Sequence, residues 1–374
     1  MLIGLLILIF IRPFISSLAF PYLNSIYSFV LLGFLLIWVI IKGLSFKNIG
    51  PIRYPLILFI LSIFISLIFS YDKITSIKEL YKYISGVLLF LVGISLSGND
   101  RNRLIRCILL AGLSISILAI YQYFFGFRNL SNYVAKLGIS DASVLDYINR
   151  KRIFFPFVTP NILAGYLAMN ITLALSNKNK TWFILSLSFA LLLTKSLGAL
   201  LSLFLALAVY FYLQGKLKKR NFLFLLGFLI FTGAIFMARS VNQKQHLQPV
   251  FSTMMRLNYW RDTLRIIKAS PLIGVGLGNF NLPLSRYAHN SYLQLWAEMG
   301  ILGLISFLWL IISVFSYGLK TMKNSPDKNQ IAALITASGV FLIHNLVDFS
   351  FFLPEVNLIW WVITGCLFSF LFTN

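Results

Sequence analysis

The feature that most constrains this chain is a series of apolar runs, each near 20 residues, recurring from Leu2 to Phe372. About 20 apolar residues is what a helix needs to cross the hydrocarbon of a bilayer. Backbone N–H and C=O groups find no water there, so only helices and closed barrels can span. Barrel strands alternate apolar and polar residues, and these runs do not. With 374 residues, 59% of them hydrophobic, and a mean hydropathy of +0.86, a soluble globular fold is excluded. The expectation is an all-α polytopic membrane protein: about 12 transmembrane helices in one integral membrane domain over residues 1–374.

In chain order, spans near Leu2–Phe20 and Asn24–Ile41 turn at Pro21. Others follow at Tyr54–Ser70, up to Leu96 and up to Phe125. A polar loop, 127–155, precedes the sixth span, which ends at Lys178 and Lys180. Trp182–Leu213 is too long for one crossing and accommodates two only with a tight hairpin at Thr194-Lys195-Ser196. A ninth span, Phe222–Ala238, leads into the longest loop, 239–288, and a tenth begins after His289. Lys320, Lys323 and Lys328 precede the eleventh, and Leu358–Phe372 closes the chain. The N-terminal stretch lacks a basic leading region and a small-residue cleavage site, so it reads as a retained first span.

Net charge is +22 and the pI near 10.1. The cations concentrate in short loops at 42–53, 101–106, 178–180, 216–220 and 320–328, where Asp100 and Asp327 are the acids. If spans alternate, these loops share one side, and the excess of Lys and Arg makes that side cytoplasmic. Both termini are then cytoplasmic, while loops 127–155 and 239–288, with His289, face outward. Topology and anionic lipid or phosphate account for the charge, and nucleic acid is not needed as a partner. Cys107 and Cys366 sit in or beside apolar segments and form neither a disulfide framework nor a metal site.

The polar residues at span boundaries are where chemistry can sit. His289 ends the longest loop and precedes an apolar segment, and histidine is the side chain suited to proton exchange near neutral pH. Its alternative role is that of an interfacial residue at a capped helix start. Within the longest loop, Leu257, Trp260, Leu264 and Ile267 recur at helical spacing, with Arg261, Arg265 and Lys268 on another face. This describes a helix lying in the membrane interface, either an anchor on lipid headgroups or a clamp for a phosphate-bearing substrate. Gly274, Gly276 and Gly278 follow no strand, so they read as a tight turn, not a nucleotide loop.

Charges within spans are functional hypotheses by default. Asn290, Gln294 and Glu298 give the tenth span a polar face, which either lines a cavity or bonds neighbouring helices. Arg12 lies within the first span, where its side chain can snorkel. His344 and Asp348, four residues apart, can orient one another or contact substrate. Pro160 suits a first helical turn and places Asn161 toward the outer vestibule.

Several of these residues occur in a familiar order. His289-Asn290, nine residues, Gly300, two residues and Gly303 resemble the signature of the O-antigen ligase and polymerase superfamily. Arg256 followed by Tyr259-Trp260, the Pro271–Phe280 run, Pro160-Asn161-Ile162-Leu163-Ala164, and His344 to Pro354 resemble its other elements. The resemblance covers residues 155–374. It implies a metal- and cofactor-independent inverting glycosyltransferase that takes its glycan from undecaprenyl pyrophosphate at the outer face of the bacterial inner membrane. The acceptor would be lipid A–core for a ligase, a growing glycan for a polymerase, or a protein hydroxyl for an O-oligosaccharyltransferase.

On the same resemblance, His289 is the general base and Arg256 holds the pyrophosphate. The family's hairpin arginine is replaced by Leu197, which leaves Lys195 or Arg152 to supply a second cation. Asn161, Asn290, Glu298, Arg261, His344 and Asp348 are the further residues expected to line the site. A lipid-linked glycan transporter and an envelope scaffold are the rivals from other classes.

Overall fold

The computed structural model describes residues 1–42, 49–50, 52–138, 142–177, 180–216, 218–240 and 249–370. Lys47, Lys178 and positions 241–248 of the longest expected loop lie outside these. The first half of the chain forms α1 (Leu2–Ile11), α2 (Pro21–Lys42), α3 (Arg53–Ile68), α4 (Lys73–Ser95) and α5 (Gly98–Tyr121). A π-turn joins α5 to α6 (Phe127–Lys136), and α7 (Ala142–Asn149) and α8 (Pro160–Ala174) follow. The second half holds α9 (Lys180–Thr194), α10 (Leu197–Leu213), α11 (Lys219–Ser240), α12 (Pro249–Ala269), α13 (Ser291–Asn324), α14 (Lys328–His344) and α15 (Pro354–Ser369). Among the described residues no strand is present beyond one isolated bridge between Leu282 and Ser285.

Among the described residues four helices are long and apolar enough to cross a membrane: Pro21–Lys42, Gly98–Lys136, Lys219–Met237 and Ser291–Asn324. Shorter apolar helices include Leu2–Phe14, Arg53–Ile68, Lys180–Thr194 and Leu197–Leu213. A 15-residue helix such as α8 rises only about 22 Å, short of the roughly 30 Å of bilayer hydrocarbon. Side-chain placement is that of a membrane protein. Tyr22, Ile26, Phe29, Ile40 and Ile230 are exposed, whereas Arg12, Glu298 and Glu355 are buried. The two expected outer loops carry helices of their own, α6 and α7 in 127–155 and α12 in 239–288.

The interior is built by α8 and α15, whose residues are nearly all buried, together with α14 and the second half of α4. Small residues let the α4 and α15 backbones meet: a Cβ on Gly93 would lie 3.0 Å from Gly365 Cα, and Trp361 rests on Gly86. Arg12, expected to snorkel, is instead fully buried. It donates to Asn24 Oδ1 (2.9 Å), pairs with Glu355 (3.3 Å) and lies over the Tyr27 ring. Leaving the apolar interior would strand Glu355, so the pair ties the first turn to α15.

The tenth apolar segment departs from expectation: α13 is one helix interrupted at Gly300 (φ 68°, ψ −178°). The break frees carbonyls, and the loop before it takes them. Val275 N donates to Ala297 O (2.9 Å) and Gly276 N to Glu298 O (3.0 Å), while Ile301 N donates to Pro271 O (2.9 Å). These three bonds re-satisfy backbone groups that the break frees, which is what irregular backbone inside an apolar bundle requires. A Cβ at Gly300 would overlap the Leu272 carbonyl, so Gly300 records a close approach of the preceding loop, not only a helix face.

Hydrogen bonds between turns show which of them share an end of the bundle. Tyr71 N donates to Val275 O, Ser291 N to Asn345 O, and His344 Nε2 meets Asn161 O. The α4–α5 and α13–α14 turns meet at the other end, where Gln330 donates to Asn102.

Candidate active site

His289 ends the loop before α13 with a left-handed backbone (φ 52°), unusual for a side chain with a Cβ. Asn290 follows as the α13 N-cap, its Oδ1 accepting from Tyr292 N (3.0 Å) and Leu293 N (3.1 Å). The sharp turn and the cap together fix the histidine at the helix start. Its ring stacks on Tyr259 of α12 (centroids 5.5 Å, 20°) and meets the edge of Phe349 (4.8 Å, 89°). Nδ1 is buried with no hydrogen-bond partner.

Arg256, one turn before Tyr259 on α12, stands where its charge acts on His289 and where Asp348 and Tyr147 act on it. It makes no hydrogen bond or ion pair among the described residues, although the guanidinium is half-buried. Burial pushes His289 down to about 4 from its usual 6.5; Asp348 opposes this and Arg256 adds to it. The free site therefore holds a neutral imidazole beside a permanent cation. Burial would raise Asp348, but His344, Ser350 and His289 outweigh it and hold the carboxyl low, hence ionised.

A second network flanks the first. His344 Nε2 lies 3.2 Å from Asp348 Oδ2 and 3.2 Å from the Asn161 carbonyl. Both are acceptors, so Nε2 carries the proton. Asp348 also accepts from Ser350, leaving its Oδ1 buried without a hydrogen bond. Asn161 Oδ1 in turn accepts from Ser196 Oγ (2.9 Å) and Arg152 Nη2 (3.3 Å). Arg152 further donates to Thr194 O (3.0 Å) and approaches Asp146 (3.6 Å), which also pairs with Arg150. Gly165 on α8 and Gly198 on α10 leave the notch that the His344 ring fills.

Lys195 stands between α9 and α10 in a left-handed conformation (φ 53°). Lys195 Nζ donates to Arg150 O (2.7 Å). His289, Lys195 and Lys151 are the non-glycine residues of positive φ among those described, and backbone strain of this kind clusters at functional sites.

Of the residues singled out in the sequence, His289, Arg256 and Asp348 adjoin one another, and Arg152, Asn161, Lys195 and His344 join them through the second network. Three others serve differently. Asn290 is spent as a cap. Glu298 accepts from Gly278 N (2.9 Å) and Gln294 Nε2 (2.9 Å), and so supports the loop that precedes His289. Arg261 is exposed and donates to Asn258, so α12 turns its expected cationic face away and presents Arg256 instead.

Asp146, Tyr147 and Phe349 were not singled out in the sequence, and Tyr259 only as part of the motif that follows Arg256. Asp146 had a readable signal, an acid four residues before Arg150 in a basic stretch. Tyr147 and Phe349 had none, being lost among 36 phenylalanines and 17 tyrosines.

Fold and site together define a polytopic α-helical membrane protein with a histidine and an uncommitted arginine at one end of its bundle. Residues 182–308 match the family model described as O-Antigen ligase, over the stretch that carries Lys195, Arg256, His289 and Glu298. The match supports the family resemblance carried by the motifs. A protein of Rickettsia felis (strain ATCC VR-1525 / URRWXCal2), named provisionally as a polysaccharide ligase, is 26% identical over 178 residues. That alignment takes in 41% of this chain and 42% of the relative, so the chain spans about two-fifths of the relative's length.

Proposed function

We propose that this protein transfers a glycan from undecaprenyl pyrophosphate to an acceptor hydroxyl at the outer face of the bacterial inner membrane, as an O-antigen ligase acting on lipid A–core. The observation that carries the reading is the pairing of neutral, half-buried His289 with Arg256, a cation without a hydrogen-bonded partner among the described residues. The family match and the provisional name of the relative support a ligase-type glycan transfer in general. The basic loops at the end opposite His289 support the outward orientation.

In this reading the acceptor oxygen attacks the anomeric carbon from the face opposite the leaving group. The C–O bond to pyrophosphate breaks, its electron pair leaves with undecaprenyl pyrophosphate, and the anomeric configuration inverts. The acceptor proton passes to His289. Arg256 stabilises the charge growing on the pyrophosphate, matching its oxygens with a guanidinium fork. Asp348 stabilises the imidazolium that forms. Arg152, with Lys195 behind it, orders the neighbouring wall through Asn161 and His344.

Purified protein in detergent, given a lipid-linked donor and lipid A–core, should join the two without a membrane to cross. His289→Ala and Arg256→Ala should each lower transfer by about 100-fold or more while the protein still inserts. Full activity in either variant sinks the mechanism. Lipopolysaccharide from a deletion strain separates ligase from polymerase: unligated glycan on undecaprenyl pyrophosphate marks the former, single-repeat caps the latter.

A further inference from the structure

A cavity of about 580 Å³ opens between α2, the start of α4 and the loop before His289. Its volume lies in the range of about 300–1,000 Å³ usual for small-molecule sites. Its lining combines two chemistries. Lys78, Glu79, Lys82, Arg286 and Tyr287 make it charged and polar, and Leu18, Phe29, Leu32 and Ile77 give it an apolar wall. Phe29 and Ile77 are mostly exposed, so the apolar wall opens sideways, where a bilayer would lie. Among the charged residues three cations meet one acid. Lys82 is turned inward, donating to Phe352 O (3.0 Å) and pairing with Glu79. Arg286 shares the same Glu79 at 3.4 Å. Lys78 makes no ion pair or hydrogen bond among the described residues.

We propose that this cavity binds a phosphate-bearing lipid of the surrounding leaflet. The phosphate sits at Lys78 and Arg286, and one acyl chain lies along Leu18, Phe29 and Leu32. A wholly apolar occupant would leave the excess cations unanswered, and a free anion would leave the apolar wall uncovered. An amphiphile meets both conditions. The cavity is separate from the His289 cluster but shares a wall with it: Tyr287 lines the cavity and stacks on Phe349 (4.1 Å, 11°), whose edge meets His289. A bound lipid would thus brace the aromatic pair on which the histidine rests.

Native mass spectrometry of the full chain in detergent tests this with phosphatidylglycerol, diacylglycerol of the same chains, and inorganic phosphate. Phosphatidylglycerol should be retained about tenfold better than diacylglycerol, and millimolar phosphate should not displace it. Lys78→Glu, which reverses an exposed charge without breaking a pair, should lower retention about tenfold. Leu32→Trp, which fills the apolar wall, should lower it similarly without altering the cations. Equal retention of diacylglycerol, displacement by phosphate alone, or wild-type retention in a folded Lys78→Glu protein would each overturn the proposal. The measurement needs neither donor nor acceptor, so its outcome is independent of the reaction assigned to His289.

Discussion

Burial gives His289 a pH signature that an exposed histidine would lack. The base-competent form is the neutral one, present above the folded-state value and lost as pH falls through it. With that value near 4, the acid limb of kcat/KM, which reports the free enzyme, should fall well below 6.5. At pH 5.5 transfer should remain close to its neutral-pH rate, whereas an unshifted histidine would retain about a tenth. A bound pyrophosphate brings negative charge to the imidazole, so the limb in kcat should lie at higher pH than that in kcat/KM. Asp348 is the group that raises His289, so Asp348→Asn should move the kcat/KM limb further down. Steady-state rates between pH 4 and 8 decide the matter, and limbs near 6.5 in both parameters would count against the buried neutral base. At this scale the sequence was readable where chemistry is rare. Three histidines in 374 residues make His289 and His344 conspicuous, while Tyr147 and Phe349 vanish in an aromatic background.

Among the elements, the broken helix α13 is what holds the reactive loop in place. Gly300 has φ 68°, and a Cβ there would meet the Leu272 carbonyl, which is backbone and cannot swing aside. Gly33 in α2, by contrast, has nothing within 4 Å of an added Cβ. Gly300→Ala should therefore cost about 3 kcal/mol or more, lowering the unfolding midpoint in detergent and abolishing transfer; Gly33→Ala should stay within about 1 kcal/mol. Similar midpoints for the two variants would refute the latch. Glu298 belongs to the same device. Its two oxygens accept from Gly278 N and Gln294 Nε2, and glutamine offers only one acceptor oxygen for both. Glu298→Gln should then cost about 1 to 3 kcal/mol and slow turnover although the residue meets no reactant. The apolar run itself announced α13, but its interruption was not legible. Periodicity reports the faces of a helix, and it says nothing of a loop 25 residues earlier that arrives to use the freed carbonyls.

Across the whole molecule, alternating apolar runs and charge-bearing turns foretold a helical bundle, because a bilayer admits few alternatives. Long-range pairing was beyond reach, since nothing local tells Arg12 that its partner is Glu355, 343 residues away. That pair is the clearest test of how the bundle closes. Both side chains are 1% exposed, and Ser17 N also donates to Glu355 Oε1 (3.1 Å). Removing one partner leaves a buried charge uncompensated, at a cost of about 3 to 5 kcal/mol, whereas replacing both with apolar groups removes the desolvation penalty as well. Arg12→Ala and Glu355→Ala should each lower the thermal midpoint and the yield of folded protein. Arg12→Met with Glu355→Met should recover much of the loss, less what stays with Asn24 Oδ1 and Ser17 N. A double-mutant cycle on thermal midpoints measures the coupling directly. Strictly additive losses would mean that the first turn and α15 are held together by packing alone.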